Sequence, residues 1–111
     1  MQKLKKRQGN WSPTILAKAI NVLQTPGFKK AVKKLKANQK KDLDTVVKEV
    51  MENPSLGEQK KGDLSFLRVH KFKMNKQLTL LGYSFNDGTL TLELMALGSH
   101  ENFYRDIKRI T

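Results

Sequence analysis

The 111-residue sequence contains no cysteine. That excludes disulfide frameworks, thiol nucleophiles and cysteine-ligated zinc, and it is compatible with a reducing, cytoplasmic setting. Long apolar runs are missing too. The longest, such as Leu94-Met95-Ala96-Leu97, fall far short of the roughly 20 residues that a membrane span requires. Residues 1–7 are basic, but no signal-type apolar block follows them, so neither a membrane protein nor a secreted one is expected. No zinc-binding HExxH, phosphate-cradling Gly-rich loop, nucleophile elbow or calcium loop is present. The common enzyme signatures are therefore absent, and neither a metal nor a small-molecule cofactor is expected. Acid is missing from the first third. Residues 1–41 hold twelve Lys or Arg and no Asp or Glu, whereas residues 42–111 hold ten of each.

What the sequence has in excess is positive charge: 22 Lys plus Arg against 10 Asp plus Glu, a net charge of +12. An acidic metabolite does not need so much, and the excess points to a polyanion or an acidic protein as partner. The length suits one domain with a single main core. Residues 1–17 read as a basic N-terminal extension and residues 18–111 as the domain. Within 14–24, Ile20, Val22 and Leu23 make the last half a strand that runs into Thr25-Pro26-Gly27, where Thr25 and Pro26 suit a helix N-cap and first position. From Phe28, the positions Phe28, Ala31, Val32 and Leu35 recur at helical spacing, with Lys29, Lys30, Lys33, Lys34 and Lys36 on the remaining side. After a polar break at 38–41, a second stripe of Leu43, Val46, Val47, Val50 and Met51 stops before Asn53-Pro54. These two stretches predict an antiparallel helical hairpin.

Beyond the turn at 54–57 the period changes from 3.6 to 2. Residues 65–73, 77–85 and 89–97 each read as a strand, with Asn86-Asp87-Gly88 as a hairpin turn and with Leu90, Leu92, Leu94 and Ala96 on one face of the last. Gly98-Ser99 then opens a terminal helix over 100–109, with Phe103 and Ile107 inward. The expected fold is α+β, a single domain ordered β-α-α-β-β-β-α, an antiparallel meander packed on a helical hairpin with one sheet face partly open.

Six basic residues, Lys60, Lys61, Arg68, Lys71, Lys73 and Lys76, cluster on the meander against one acid, Asp63. Strand alternation places Arg68 and His70 on one face, Lys71 and Lys73 on the other. With Phe66, Phe72 and Tyr83 nearby, such a surface suits a nucleic-acid backbone and offers stacking rings. The only histidines are His70 and His100. Attack of an RNA 2'-hydroxyl on its own phosphate needs a base, an acid for the leaving 5'-oxygen and cations for the charge on phosphorus. Histidine with Arg or Lys supplies all three, whereas a lone histidine also serves as a surface or satisfied core residue.

Three segments carry a family resemblance: Thr25-Pro26-Gly27-Phe28-Lys29-Lys30; Glu52-Asn53-Pro54-Ser55-Leu56-Gly57 with Lys60-Lys61-Gly62-Asp63-Leu64; and Leu97-Gly98-Ser99-His100-Glu101-Asn102-Phe103-Tyr104. In order and spacing they resemble RelE/ParE-type bacterial toxins over residues 18–111. The resemblance implies a RelE-like fold and a toxin of a type II toxin–antitoxin pair. Such a toxin is held inactive by a cognate antitoxin and, when freed, acts as an endoribonuclease on mRNA in the ribosomal A site. Ribosome, mRNA and antitoxin are then the partners, with an acidic or amphipathic antitoxin segment expected over the basic sheet face. By position, His100, Arg68, His70 and Tyr104 are the implied catalytic group. Lys61 and Phe103 carry over in the same way, and with Lys60, Lys71, Lys73, Lys76, Tyr83 and Arg105, taken from the basic and aromatic residues themselves, they make up the expected RNA-binding group. Many such toxins place an arginine shortly before the tyrosine that Tyr83 resembles; residues 77–82 contain none, which shifts charge stabilisation to Arg68, Lys71, Lys73 or Arg105. ParE-like members of the same superfamily instead inhibit DNA gyrase and have no need of His100. A plain RNA-binding module is the third reading.

Overall fold

A computed structural model gives the fold of residues 20–110, so the basic extension at 1–17 lies outside the described residues. Strand β1 (Asn21–Gln24) leads into helix α1 (Pro26–Lys33) through the expected Thr25-Pro26 cap. The Thr25 hydroxyl accepts the Phe28 N–H at 3.1 Å and donates to the Met95 carbonyl at 2.8 Å. One side chain thus starts the helix and ties it to the far end of the chain. Pro26 sits where no N–H is needed.

Helix α2 (Ala37–Glu52) begins earlier than its apolar stripe suggests. Its connection to α1 is residues 34–36, and the polar stretch 38–41 forms its first turn instead of a break. Lys36 has no side-chain acceptor to cap that turn, and the Gln39 Oε1 accepts the Lys36 N–H at 2.8 Å instead. α2 ends at Glu52 because Asn53 precedes a proline.

The remaining elements are β2 (Glu58–Gln59), a 3₁₀ turn (Gly62–Leu64), β3 (Arg68–Met74), β4 (Gln77–Asn86), β5 (Thr91–Gly98) and α3 (His100–Ile110). Strands β3, β4 and β5 are the expected meander. The sheet has five strands in the order β1-β5-β4-β3-β2, with β1 parallel to β5 and the other pairs antiparallel. Helices α1 and α2 cover one face, packing Phe28, Leu43, Val47 and Val50 on Leu81, Tyr83, Leu92, Leu94 and Leu97. Helix α3 covers part of the other, where Phe103 and Ile107 meet Leu67, Val69, Leu80, Met95 and Ala96. Among the described residues, no helix is long and apolar enough to cross a membrane.

The expected alternation along the last strand is overturned by a bulge. Gly82 lies opposite Ala96 and Tyr83 opposite Leu94, so Met95 is an extra residue that reverses the alternation beyond it. Leu92, Leu94 and Leu97 therefore face α1 and α2, whereas Met95 and Ala96 face α3. Leu90 is not in the strand at all. It is exposed at φ 50° in the turn at 87–90, which is longer than Asn86-Asp87-Gly88 suggests.

Candidate nucleic-acid interface

Register decides which basic side chains share a surface. Lys73 lies opposite Leu78, and Lys71 opposite Leu80, which in turn lies opposite Gly98. All of these belong to the α3 side of the sheet, because Val69 and Leu80 pack there and alternate residues follow them. α3 leaves β5 at Gly98, with the Ser99 carbonyl accepting the Phe103 N–H at 2.8 Å, and seats its Phe103 ring on Gly82. Lys71 and Lys73 therefore stay exposed beyond the helix, at the end where His100 opens it. Leu78, 58% exposed and opposite Lys73 in the register, is an apolar spot on this basic surface.

Three rings run from core to surface along α3. Phe103 is fully buried, Tyr104 meets it edge-on at 4.9 Å and 83°, and His100 tilts against Tyr104 at 4.9 Å and 56°. The core thus orients an imidazole that itself remains exposed. Lys76 projects from the β3–β4 turn at the same end. Asn75 and Lys76 have φ of 53° and 70°, the left-handed pair that a two-residue hairpin turn requires. The turn is tied to α2 by the Asn75 N–H on Asp42 Oδ2 at 2.9 Å and by Asn38 Nδ2 on Asn75 Oδ1 at 3.2 Å.

The other expected residues lie elsewhere. Arg68 is five residues from Lys73, roughly 17 Å along the strand. Its Nη1 donates to the Gly57 carbonyl at 2.8 Å and the Ser55 carbonyl at 3.3 Å, and its Nη2 to Gln59 Oε1 at 3.4 Å. In this conformation it braces the α2–β2 loop and does not offer a free guanidinium to phosphate. Tyr83 is expected as a stacking ring, yet it is fully buried; its hydroxyl accepts the Gly57 N–H at 2.8 Å and donates to the Pro54 carbonyl at 2.6 Å. Burial raises the phenol above its ordinary value of 10.0, opposed by the Gly57 N–H and by the Arg68 charge. Phe103 is likewise buried and presents no stacking surface. Both sheet faces are covered at these positions, so neither ring has an open side for a base; the inward reading of Phe103 holds, and its place in the RNA-binding group does not.

His70 faces the α1–α2 side, stacked on Phe72 at 6.2 Å and 7°, so the two histidines lie on opposite faces of the sheet. Lys60 and Lys61 directly precede the 3₁₀ turn before β3, with Lys60 Nζ 3.8 Å from Glu58 Oε1. Arg105 bonds to Asn102 and lines a notch of about 400 Å³ with Ala31, Lys34, Leu97, Gly98 and Asp106. Among the described residues no group of His, Asp and Glu is placed to hold a metal ion. The register thus puts Lys71 and Lys73 on the α3 side at the end where His100 and Tyr104 stand, with Lys76 in the turn beyond them. Leu78 is the member that sequence reasoning missed, although alternation already set it beside Lys71 and Lys73.

This fold has solved counterparts. A free-state double mutant of Escherichia coli RelE matches with a TM-score of 0.63 and 21% identity, covering 84% of this chain and 99% of that one. The toxin of the intact E. coli RelBE toxin–antitoxin complex matches with a TM-score of 0.60 and 20% identity, covering 73% and 96%. The isolated E. coli RelE toxin gives 0.58 and 21%, covering 84% and 100%. No curated protein sequence matches significantly. A sequence profile described as the ParE-like toxin of type II bacterial toxin–antitoxin systems matches residues 22–108, which takes in every element from β1 to the last turn of α3. With that span matched, and with the fold shared by RelE, the chain belongs to the ParE-like toxins of type II bacterial toxin–antitoxin systems.

Proposed function

We propose that this toxin is an endoribonuclease that cuts mRNA in the ribosomal A site and so stops translation. The observation that carries the reading is the placement of His100: exposed, oriented by Tyr104, and at the same end of the α3 face as Lys71, Lys73 and Lys76. In the reaction the RNA 2'-oxygen bonds to the adjacent phosphorus as the P–O5' bond breaks, leaving a 2',3'-cyclic phosphate and a 5'-hydroxyl. One proton leaves the 2'-hydroxyl and one reaches the 5'-oxygen. His100 serves in one of these transfers, and the lysines balance the charge on the phosphoryl oxygens. Lys60 and Lys61, farther along the same molecule, hold flanking phosphates, and Arg68 and Tyr83 act by fixing the loop that precedes them. His70 and Arg105 lie away from this cluster and take no part in the chemical step.

A cognate antitoxin is the second partner, as E. coli RelE is described in complex with RelB. An acidic or amphipathic segment over Lys71 and Lys73 is the arrangement that the charge favours. Mapping of 5' ends on a defined mRNA engaged by translating ribosomes, with wild-type protein beside His100→Ala, tests the nuclease. Ribosome-dependent cuts that fall 100-fold or more in the variant are expected, as for loss of a general acid or base. Growth arrest without cuts, unchanged by His100→Ala, transfers the assignment to the gyrase-inhibiting mode of ParE-like toxins.

A further inference from the structure

Helix α3 ends its cover of the sheet between two leucines of one strand. Leu80 and Leu78 stand on the same face of β4, yet Leu80 is 1% exposed beneath α3 and Leu78 is 58% exposed. Register explains the difference. The β4–β5 ladder ends with Leu80 opposite Gly98, and the same spacing carried two residues further would set position 100 opposite Leu78. The chain has by then left the sheet, because α3 begins at His100. Leu78 is thus paired on one side with Lys73 and borders on the other the place where His100 lifts away.

Nothing in the fold calls for a leucine there. An apolar side chain stabilises by leaving water, and this one stays in it. Among the described residues the exposed large apolar side chains are Leu23, Leu56, Phe66, Leu78 and Leu90, and only Leu78 belongs to the three strands of the meander. Its surroundings limit what can lie on it. Lys73 is opposite, Lys71 is diagonal to it, and Lys76 precedes it by two residues in the turn. A protein anchor needs a desolvated pocket ringed by neutral contacts. Leu78 stands instead on a strand surface ringed by charge, and it does not line the notch at Arg105. Phosphate matches the lysines but gains nothing from a leucine. A nucleotide matches both, since the faces of its base are apolar while its phosphates reach the cations.

We infer that Leu78 is the platform for one of the two bases that flank the scissile phosphate, a substrate contact that sets the position of the message at His100 and takes no part in proton transfer. The inference rests on the nuclease reading. Ribosomes halted on a defined message with an empty A site are treated with full-length wild type or Leu78→Ala. The message carries an intact nucleotide or an abasic one, on the 5' or the 3' side of the mapped cut, and single-turnover cleavage rates are measured. On the intact message Leu78→Ala should cut about five- to tenfold more slowly, the loss expected when about half of a leucine side chain loses its cover. An abasic nucleotide on one side of the cut should slow the wild type by a similar factor and slow Leu78→Ala hardly further, so that the two losses do not multiply. Leu78→Met, which keeps an apolar side chain, should recover most of the rate. The melting temperature of Leu78→Ala should not change, as for other exposed positions. Equal rates for wild type and Leu78→Ala overturn the proposal and leave the leucine to a protein partner. Losses that multiply on both sides of the cut also overturn it, since they mark a contact with something other than a base. Absence of any cut by the wild type on the intact message removes the nuclease reading and the platform together, whereas cuts that ignore Leu78 remove the platform alone.

Discussion

The Tyr83 hydroxyl joins the buried sheet to the α2–β2 loop twice, as acceptor of the Gly57 N–H and as donor to the Pro54 carbonyl, beside the Arg68 contacts to the same loop. Replacing the residue with Phe keeps the ring but leaves the Gly57 N–H without its acceptor in a place where a Cβ on Gly57 would already lie 2.9 Å from the hydroxyl. Tyr83→Phe should therefore cost about 1–3 kcal/mol, read as a lower denaturation midpoint with an unchanged slope. The sign of its pH dependence follows from the raised phenol. Tyr83 titrates higher in the folded chain than in the unfolded one, so its contribution is intact below pH 10 and is lost as pH rises through the raised value. The stability gap between wild type and Tyr83→Phe should hold steady to about pH 10 and then narrow. A gap that widens in alkali would mean that the phenol is held as its anion.

At the scale of elements, α3 depends on a missing side chain beneath it. A Cβ on Gly82 would fall 2.6 Å from Phe103 Cζ and 2.7 Å from Cε1, so Gly82→Ala must push the ring, and with it the helix, off the sheet. Loss of about 1–3 kcal/mol is expected, as for other overpacked cores, with faster amide exchange in α3 than in β3 and β4. The cleavage proposed for His100 should fall with it, since Phe103 and Tyr104 are what aim that imidazole. Much of this element structure was legible in the sequence: the Thr25-Pro26 cap, the stop before Pro54, the three meander strands and the inward pair Phe103 and Ile107 all follow from local rules. What was not legible is what depends on distant partners. The parallel pairing of β1 with β5, the two-residue β2 and the bulge at Met95 are set by packing across the sheet, and no local pattern encodes them. The same holds for the site. Alternation put Lys71 and Lys73 on one face, but the burial of Tyr83 and the inward commitment of Arg68 depend on loops and helices that meet only in the folded chain.

For the whole molecule the dominant fact is a net charge of +12 on 111 residues. Self-repulsion on this scale favours the expanded chain, and salt screens it over a length of about 10 Å at 0.1 M. The melting temperature should accordingly rise by several degrees between 20 and 300 mM KCl, on the order of 1 kcal/mol. A melting temperature that is flat or falling over that range would show that the lysines are too far apart to matter to folding. Screening that helps the toxin fold should weaken the RNA binding proposed for it, so stability and binding are expected to move in opposite directions with salt.

The parallel seam between β1 and β5 also sets the order of events when the protein is made. The Thr25 hydroxyl finds its partner at Met95, 70 residues later, and Phe28 packs on Leu92 and Leu94. At roughly 5–20 residues per second, a nascent chain carries β1 and α1 for about 4–14 s before their partners are even synthesised. The strand that closes the sheet and the histidine that opens α3 then arrive within ten residues of each other. Each molecule is thus born with a timer: it cannot close its fold, or present His100 on it, until the ribosome has moved some 70 residues beyond β1, the strand that the seam needs.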